Sequence, residues 1–145
     1  MILNGGGNVS NQLQEVHEMN LSAYFETTTG MGVLATANPE GMVDAAIYAR
    51  PHVVDNDTIA FIMGERRSFA NLTENPHAAY LYREDVPGYK GVRLYLTKTH
   101  IETDPAEIES MRRKKHGREV EGNKAPSKYL VYFHIDEIRP LVGDR

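Results

Sequence analysis

The chain has 145 residues, a formal net charge of −4 and no cysteine. This length fits one domain with a substantial core, which we assign to residues 1–145, with residues 1–9 as a flexible lead-in. The missing cysteines exclude disulfides, thiolate metal sites and a cysteine nucleophile. The negative charge argues against broad nucleic-acid binding, and no apolar run approaches the roughly 20 residues that span a bilayer. The first residues also lack the basic and apolar regions of a secretory signal, so we expect a cytoplasmic protein without membrane or nucleic-acid partners.

Six strand-like segments and three helical segments follow one another along the chain. Apolar residues at helical spacing predict the helices, and alternating apolar residues bounded by turn residues predict the strands. No β–α–β alternation appears, which favours a mainly β fold, an antiparallel barrel with peripheral helices. In chain order, the predicted elements are a helix over 10–27, strands over 32–37, 42–54 and 58–63, a helix over 68–74, strands over 78–83 and 92–102, a helix that starts at Asp104 and ends before Gly117, a loop over 118–127 and a strand over 128–135.

The second predicted strand, residues 42–54, has the clearest alternation. One face carries Val43, Ala45, Ile47 and Ala49, and the other carries Asp44, Ala46, Tyr48 and Arg50. Pro51 interrupts the strand and indicates a sheet edge or a bulge, because proline cannot donate to a ladder.

The most informative segment joins the third strand to the short helix: Met63-Gly64-Glu65-Arg66-Arg67-Ser68-Phe69-Ala70-Asn71-Leu72. The apolar strand stops at Gly64, and two arginines and a serine stand where the helix begins. Helix N-termini have unpaired N–H groups and partial positive charge, so these side chains suit a phosphate. The alternative is that Ser68 only caps the helix and the arginines are solvated.

Other chemical motifs are weak. The six histidines are scattered, and although His17-Glu18 begins like a zinc-protease helix, Leu21 stands where the second histidine is needed, so we predict no metal site. The chain has no nucleophile elbow, no P-loop and no dinucleotide-binding glycine pattern. The basic run Arg112–His116 is explained by the dipole at a helix C-terminus.

With these segments in order, the chain resembles the pyridoxamine 5′-phosphate oxidase-like family of flavin-binding split barrels over about residues 21–141. The resemblance implies a six-stranded antiparallel split barrel that forms a homodimer, with FMN in a groove at the dimer interface. It rests on four segments: Gly32-Val33-Leu34-Ala35-Thr36, Val43-Asp44-Ala45-Ala46-Ile47-Tyr48-Ala49-Arg50-Pro51, Arg66-Arg67-Ser68 with Asn71-Leu72 and Asn75-Pro76, and Gly88-Tyr89-Lys90-Gly91-Val92-Arg93-Leu94.

The resemblance also implies which residues contact the cofactor. Arg67 matches the family's usual arginine, Ser68 replaces its usual lysine, and Arg66 can restore the missing charge. The implied contacts are Arg66, Arg67 and Ser68 to the phosphate, Ala45, Ala46, Ile47, Tyr48, Met63 and Gly64 around the ring, and Tyr89 and Arg93 from the partner chain.

The resulting expectation is a homodimeric FMN-dependent oxidoreductase that acts on a small-molecule redox substrate. No side chain stands out as a catalytic acid or base. Three alternatives stay open: a non-catalytic flavin or electron-transfer module, a split barrel that binds haem or a deazaflavin, and an interaction protein with a vestigial site.

Overall fold

The structure is a computed structural model that describes residues 19–116 and 129–143, with the backbone alone for residues 113–116. These residues form three helices and seven strands. The helices are α1 (Leu21–Thr27), α2 (Arg67–Glu74) and α3 (Pro105–His116), and the strands are β1 (Gly30–Ala37), β2 (Val43–Ile47), β3 (His52–Asp55), β4 (Thr58–Met63), β5 (His77–Glu84), β6 (Gly91–Glu102) and β7 (Tyr129–Pro140).

All seven strands form one antiparallel sheet in the order β2-β1-β5-β6-β7-β4-β3. A flat sheet of this size would separate its edge strands by roughly 29 Å. The edge strands β2 and β3, however, are joined by residues 48–51 alone, and the chain from Ile47 to His52 spans at most about 18 Å. The sheet must therefore curl, which confirms the antiparallel split barrel.

The predicted count of six strands is wrong by one, because the segment 42–54 forms two strands. The buried Pro51 has no N–H to continue a ladder. Just before it, the Tyr80 hydroxyl lies 3.1 Å from the carbonyl oxygens of both Tyr48 and Ala49. The chain therefore leaves one sheet edge after Ile47 and joins the opposite edge at His52.

The barrel interior is filled by aromatic and aliphatic side chains from all the central strands. The Phe61 ring lies 5.0 Å from that of Tyr80 and 6.0 Å from that of Phe133. Helix α1 closes one end of the barrel with Phe25, whose ring lies 5.0 Å from that of Tyr82. Besides these rings, the fully buried side chains include Leu34, Ile59, Met63, Leu72, Leu94, Leu96, Leu130, Val92 and Val131.

The predicted apolar edge of the third helix, Ile108 and Met111, is confirmed. In α3, Ile108 is buried with Leu130 and Tyr132 on the outer face of β4 and β7, and Met111 packs against this cluster. Strand β7 is therefore covered on both faces along its first half.

Two element boundaries differ from the predictions by more than two residues. The first described helix starts at Leu21, and Asn20 caps it by accepting from the Ala23 N–H, so Asn20 is not a helical position. Strand β7 continues to Pro140, beyond the predicted end at residue 135. Asp136 is an extra residue between the pairs Leu96↔Ile135 and Tyr95↔Glu137, and this bulge shifts the alternation of inward and outward side chains on which the prediction depended. Residues 1–18, with the predicted lead-in and start of the helix, and residues 117–128, with Gly117 and the predicted loop, lie outside the described residues.

Gly32→Ala is expected to lower the free energy of unfolding by about 2–3 kcal/mol, the cost of overpacking a core. A Cβ at this position would lie 1.9 Å from the Tyr80 hydroxyl oxygen. Tyr80 is fully buried, and its hydroxyl binds the crossover, which is the segment 48–51 that joins β2 to β3. The ring therefore cannot move aside. Urea unfolding at fixed protein concentration measures the loss. Adding Tyr80→Leu removes the hydroxyl and the ring carbons that would lie 2.3 and 2.7 Å from this Cβ, so the double variant should lose less than the sum of the singles; strict additivity would contradict the proposed clash.

Candidate functional site

The turn between β4 and α2 presents an uncapped helix N-terminus. Helix α2 begins at Arg67 after Arg66, which has extended backbone and no capping side-chain hydrogen bond, and its first turn contains no acidic residue. Among the described residues, the N–H groups of Arg67, Ser68 and Phe69 have no acceptor. The capping alternative for Ser68 is therefore wrong, since Ser68 lies inside the first turn.

The side chains of this turn carry unneutralised positive charge. Arg66 and Arg67 are exposed, and neither forms an ion pair with a described carboxylate. The neighbouring Glu65 points elsewhere, with its carboxylate 3.4 Å from the Tyr129 hydroxyl. Ser68 is only 2% exposed, so its hydroxyl lies at the base of the turn.

Helix α2 is fixed to its end of the barrel by three contacts. The Asn71 side chain donates to the Thr36 hydroxyl at 3.0 Å in a buried hydrogen bond. Lys98 Nζ donates to the Leu72 carbonyl at 2.7 Å, where its charge also favours the helix C-terminus. The Phe69 ring also stacks on the Tyr129 ring, with the ring centroids 4.0 Å apart. The free N–H groups at the other end of α2 are thus held in place before any ligand binds.

Tyr48 meets this turn from the end of β2. Its half-buried ring lies 5.7 Å from Phe61, and its hydroxyl lies near the Ser68 hydroxyl and the Arg66 charge. Burial raises the pKa of Tyr48, and the neighbouring Ser68 hydroxyl and Arg66 charge only partly oppose this effect. The hydroxyl therefore keeps its proton at neutral pH and can donate. Sequence reasoning placed Tyr48 beside the ring and missed this contact, since nothing in the pattern joins residues 48 and 68.

The predicted ring-lining residues do not share one surface within the chain. Ala46 lies on the half-buried face with Tyr48, whereas Ala45 and Ile47 point to the opposite, exposed face. The Met63 side chain is buried in the core, so its backbone and Gly64 are the parts that border the turn.

The two residues expected from the partner chain lie near the β5–β6 hairpin. Tyr89 is 77% exposed in this hairpin, with the Arg83 guanidinium 5.8 Å from its ring centroid. Arg93 donates to the carbonyls of Pro140 and Gly143 at 2.9 and 2.8 Å, so it holds the segment after β7. None of the described contacts joins either residue to the α2 turn of the same chain.

The matching family model is described as pyridoxamine 5′-phosphate oxidase and matches residues 22–141. The chain belongs to the pyridoxamine 5′-phosphate oxidase family. The resemblance drawn from the sequence is thereby confirmed, and the curled sheet with its crossover at Pro51 is the barrel of this family.

Solved structures of distant sequence share the fold. An FMN-binding protein from Syntrophomonas wolfei is similar with 16% identity and a TM-score of 0.69, over 95% of this chain and 89% of that one. A Clostridium acetobutylicum protein related to general stress protein 26 of the pyridoxinephosphate oxidase family has 14% identity and a TM-score of 0.62, over 91% of each chain. An F420 reductase has 20% identity and a TM-score of 0.54, over 80% of this chain and 90% of that one. No curated protein sequence matches the chain significantly.

The barrel of this family member also has an apolar outer face that no described helix covers. Cross-strand pairing places Val33 opposite both Ile47 and Leu81, and Val43 opposite Ala37, so these side chains share one side of the sheet. Val43 is 80% exposed and Ile47 71% exposed. We call this surface the open face, and it comprises Met31, Val33, Ala35, Ala37, Val43, Ala45, Ile47, Ala79 and Leu81.

The described residues contain no group of three or more histidine, aspartate or glutamate side chains placed to hold a metal ion. None of their helices is long and apolar enough to cross a membrane.

Proposed function

We propose that this protein is a homodimeric FMN-binding oxidoreductase that acts on a small-molecule redox substrate. The observation that carries the proposal is the α2 turn, where an uncapped helix N-terminus meets the hydroxyls of Ser68 and Tyr48 and two arginines that no described carboxylate pairs. A neutral ligand would leave most of these donors unsatisfied, whereas a phosphate dianion accepts from all of them.

The residues of the turn fit the phosphate of FMN. The guanidinium groups of Arg66 and Arg67 supply charge-assisted hydrogen bonds, and the N–H groups of α2 point along the helix axis to the same anion. The lysine that Ser68 replaces is compensated by the Arg66 charge and by the protonated Tyr48 hydroxyl. The turn therefore retains two cations and gains a second hydroxyl donor.

The ring of FMN would lie along the end of β2. Ala46 has a small side chain on the half-buried face, and Gly64 has none, so a flat ring can approach the backbone at both positions. When bound, FMN supplies the transfer of electrons or hydride, and the protein supplies anchoring, orientation and exclusion of water. We assign no residue as acid or base, and we infer that Tyr89 and Arg93 reach the cofactor from the partner chain.

The open face supports the homodimer. Exposed apolar patches of this kind mark interaction sites, and a twofold contact would bury the same patch on both copies. Ala45 and Ile47 then lie in the interface, next to Ala46 on the opposite face of β2 and to Tyr48 directly after the strand, so the interface and the cofactor site share β2. We also propose a cytoplasmic location, for which the cysteine-free sequence is the supporting observation.

The test is an absorption spectrum of the purified protein followed by titration of the stripped protein with FMN. We expect a flavin spectrum and saturable binding with one FMN per chain. A Soret band would instead favour haem, and selective retention of a deazaflavin such as F420 would favour the chemistry named for one of the structural neighbours. A folded protein that retains none of the three would contradict the proposal. Reduction of bound FMN by a nicotinamide nucleotide, followed by turnover with an oxidant, distinguishes an enzyme from a passive flavin module.

Tyr48→Phe is expected to weaken FMN binding about 3- to 30-fold and to leave riboflavin binding unchanged. The variant removes one hydroxyl donor near the phosphate, worth about 0.5–2 kcal/mol, and keeps the ring that packs on Phe61. Parallel titrations with FMN and riboflavin measure the difference. Equal losses for both ligands would mean that Tyr48 contacts the flavin ring or supports the fold.

A further inference from the structure

A cleft of about 360 Å³ opens at the α1 end of the barrel, between α1, the crossover, β3 and α3. Its apolar walls include Phe25, Val54 and Met111. None of the described residues that line the cleft belongs to β4, to α2 or to the turn between them. The volume lies at the small end of the range for small-molecule sites.

Arg50 lines this cleft in a fixed position. Its Nη1 donates to the carbonyls of Phe25 and Thr28, both at 2.6 Å, at the C-terminal end of α1. The backbone on one side of Arg50 is held by the Tyr80 hydroxyl at Ala49, and the next residue is the buried Pro51. The guanidinium is therefore tied to the protein by one of its three nitrogens.

The other two nitrogens of Arg50, Nε and Nη2, have no acceptor among the residues that the structure describes. These two N–H groups form the edge of the guanidinium that matches both oxygens of a carboxylate. The helix that carries one wall is also anchored, because the Tyr24 hydroxyl donates to the buried Glu84 carboxylate at 2.6 Å. The cleft thus combines a half-buried, pre-positioned guanidinium with rigid apolar walls.

We propose that this cleft binds a small monocarboxylic acid with an apolar body, its carboxylate on Nε and Nη2 of Arg50 and its body against Phe25, Val54 and Met111. The exposed Glu26 also lines the cleft and disfavours a ligand with a second negative group. The inference does not depend on flavin binding, since it uses none of the residues of the α2 turn.

Calorimetric titration of the whole protein with 4-phenylbutyrate, and with its neutral amide as the matched ligand, tests the site. We expect saturable binding of the acid and at least tenfold weaker binding of the amide, because only the acid accepts both N–H groups with a charge. Absence of saturable binding, or equal affinity for acid and amide, would overturn the proposal.

Three variants locate the binding. Arg50→Gln should weaken binding of the acid at least tenfold, but it also removes a charge that holds α1. Val54→Asp avoids this difficulty, because the Val54 side chain is 46% exposed and does not hold α1. It should weaken binding of the acid at least tenfold, because it places a negative charge in the wall of the cleft. Glu26→Gln should strengthen binding of the acid by about two- to fivefold and leave the amide unchanged, since it removes repulsion. An acid affinity that is the same in all three variants would place the ligand elsewhere and refute the site.

Discussion

The double variant Arg66→Ala, Arg67→Ala should lose about 3–6 kcal/mol of FMN binding free energy, a loss of roughly 10²- to 10⁴-fold in affinity. Each guanidinium makes a charge-assisted contact worth about 1.5–3 kcal/mol, and the two add if both reach the phosphate. Fluorescence titration of stripped protein with FMN measures the effect. The fold should be retained, because both side chains are exposed and have no ion-pair partner in the described chain.

Two controls make this prediction specific. Riboflavin lacks the phosphate, so its affinity should be nearly the same in the variant and the natural sequence. Glu65→Ala changes a charge in the same turn but removes a group that faces Tyr129, and it should not weaken FMN. Unchanged FMN affinity in the double variant would remove the phosphate role from this turn, even if the protein binds flavin.

Ile47→Asp is expected to convert the proposed dimer to monomers at micromolar concentration. Burial of an isoleucine is worth about 1.5–3 kcal/mol, and a twofold interface contains the residue twice, so about 3–6 kcal/mol of association energy is lost before the cost of burying two carboxylates. The side chain is 71% exposed in the single chain, and the unfolding free energy of the monomer should therefore hardly change. Light scattering after gel filtration gives the mass directly.

Val54→Asp is the matched control for the interface. It introduces the same charge at an exposed apolar position on β3, outside the open face, and should leave the dimer intact. Because we infer that each cofactor site includes residues of both chains, Ile47→Asp should also weaken FMN binding, whereas Val54→Asp should leave FMN binding unchanged. A monomeric natural protein that binds FMN with full affinity would contradict the shared site.

Much of the barrel could be predicted because local sequence patterns match what each segment buries. The alternation of Val92, Leu94 and Leu96 in β6 puts these side chains in the core, as the pattern predicts. Asp104-Pro105 starts α3 as expected, with the Asp104 carboxylate accepting from the Ala106 N–H. In both segments, neighbours in sequence decide the outcome.

The errors arise where distant residues decide. Residues 42–54 alternate as one strand should, and only the Tyr80 hydroxyl, more than 30 residues away, fixes the bend at Tyr48 and Ala49. Asp136 has nothing in its immediate sequence that marks an extra residue, since the bulge appears only when β7 is paired with β6. For the same reason the sequence predicted only part of the candidate site. The arginines are adjacent in sequence and could be recognised together, whereas Tyr48 approaches Ser68 only in the closed barrel.

The position of β7 has a consequence for how the chain folds. This strand is the last in the described sequence, yet in the sheet it lies between β6 and β4, so Thr58 pairs with His134, which follows it by more than 70 residues. Hairpins such as β1–β2, β3–β4 and β5–β6 can form early during synthesis, whereas the other edge of β4 must wait for β7, which leaves the ribosome after it. Closure of the barrel should therefore be the slow step, and a chain stalled before β7 would present unpaired strand edges to chaperones or to other nascent copies.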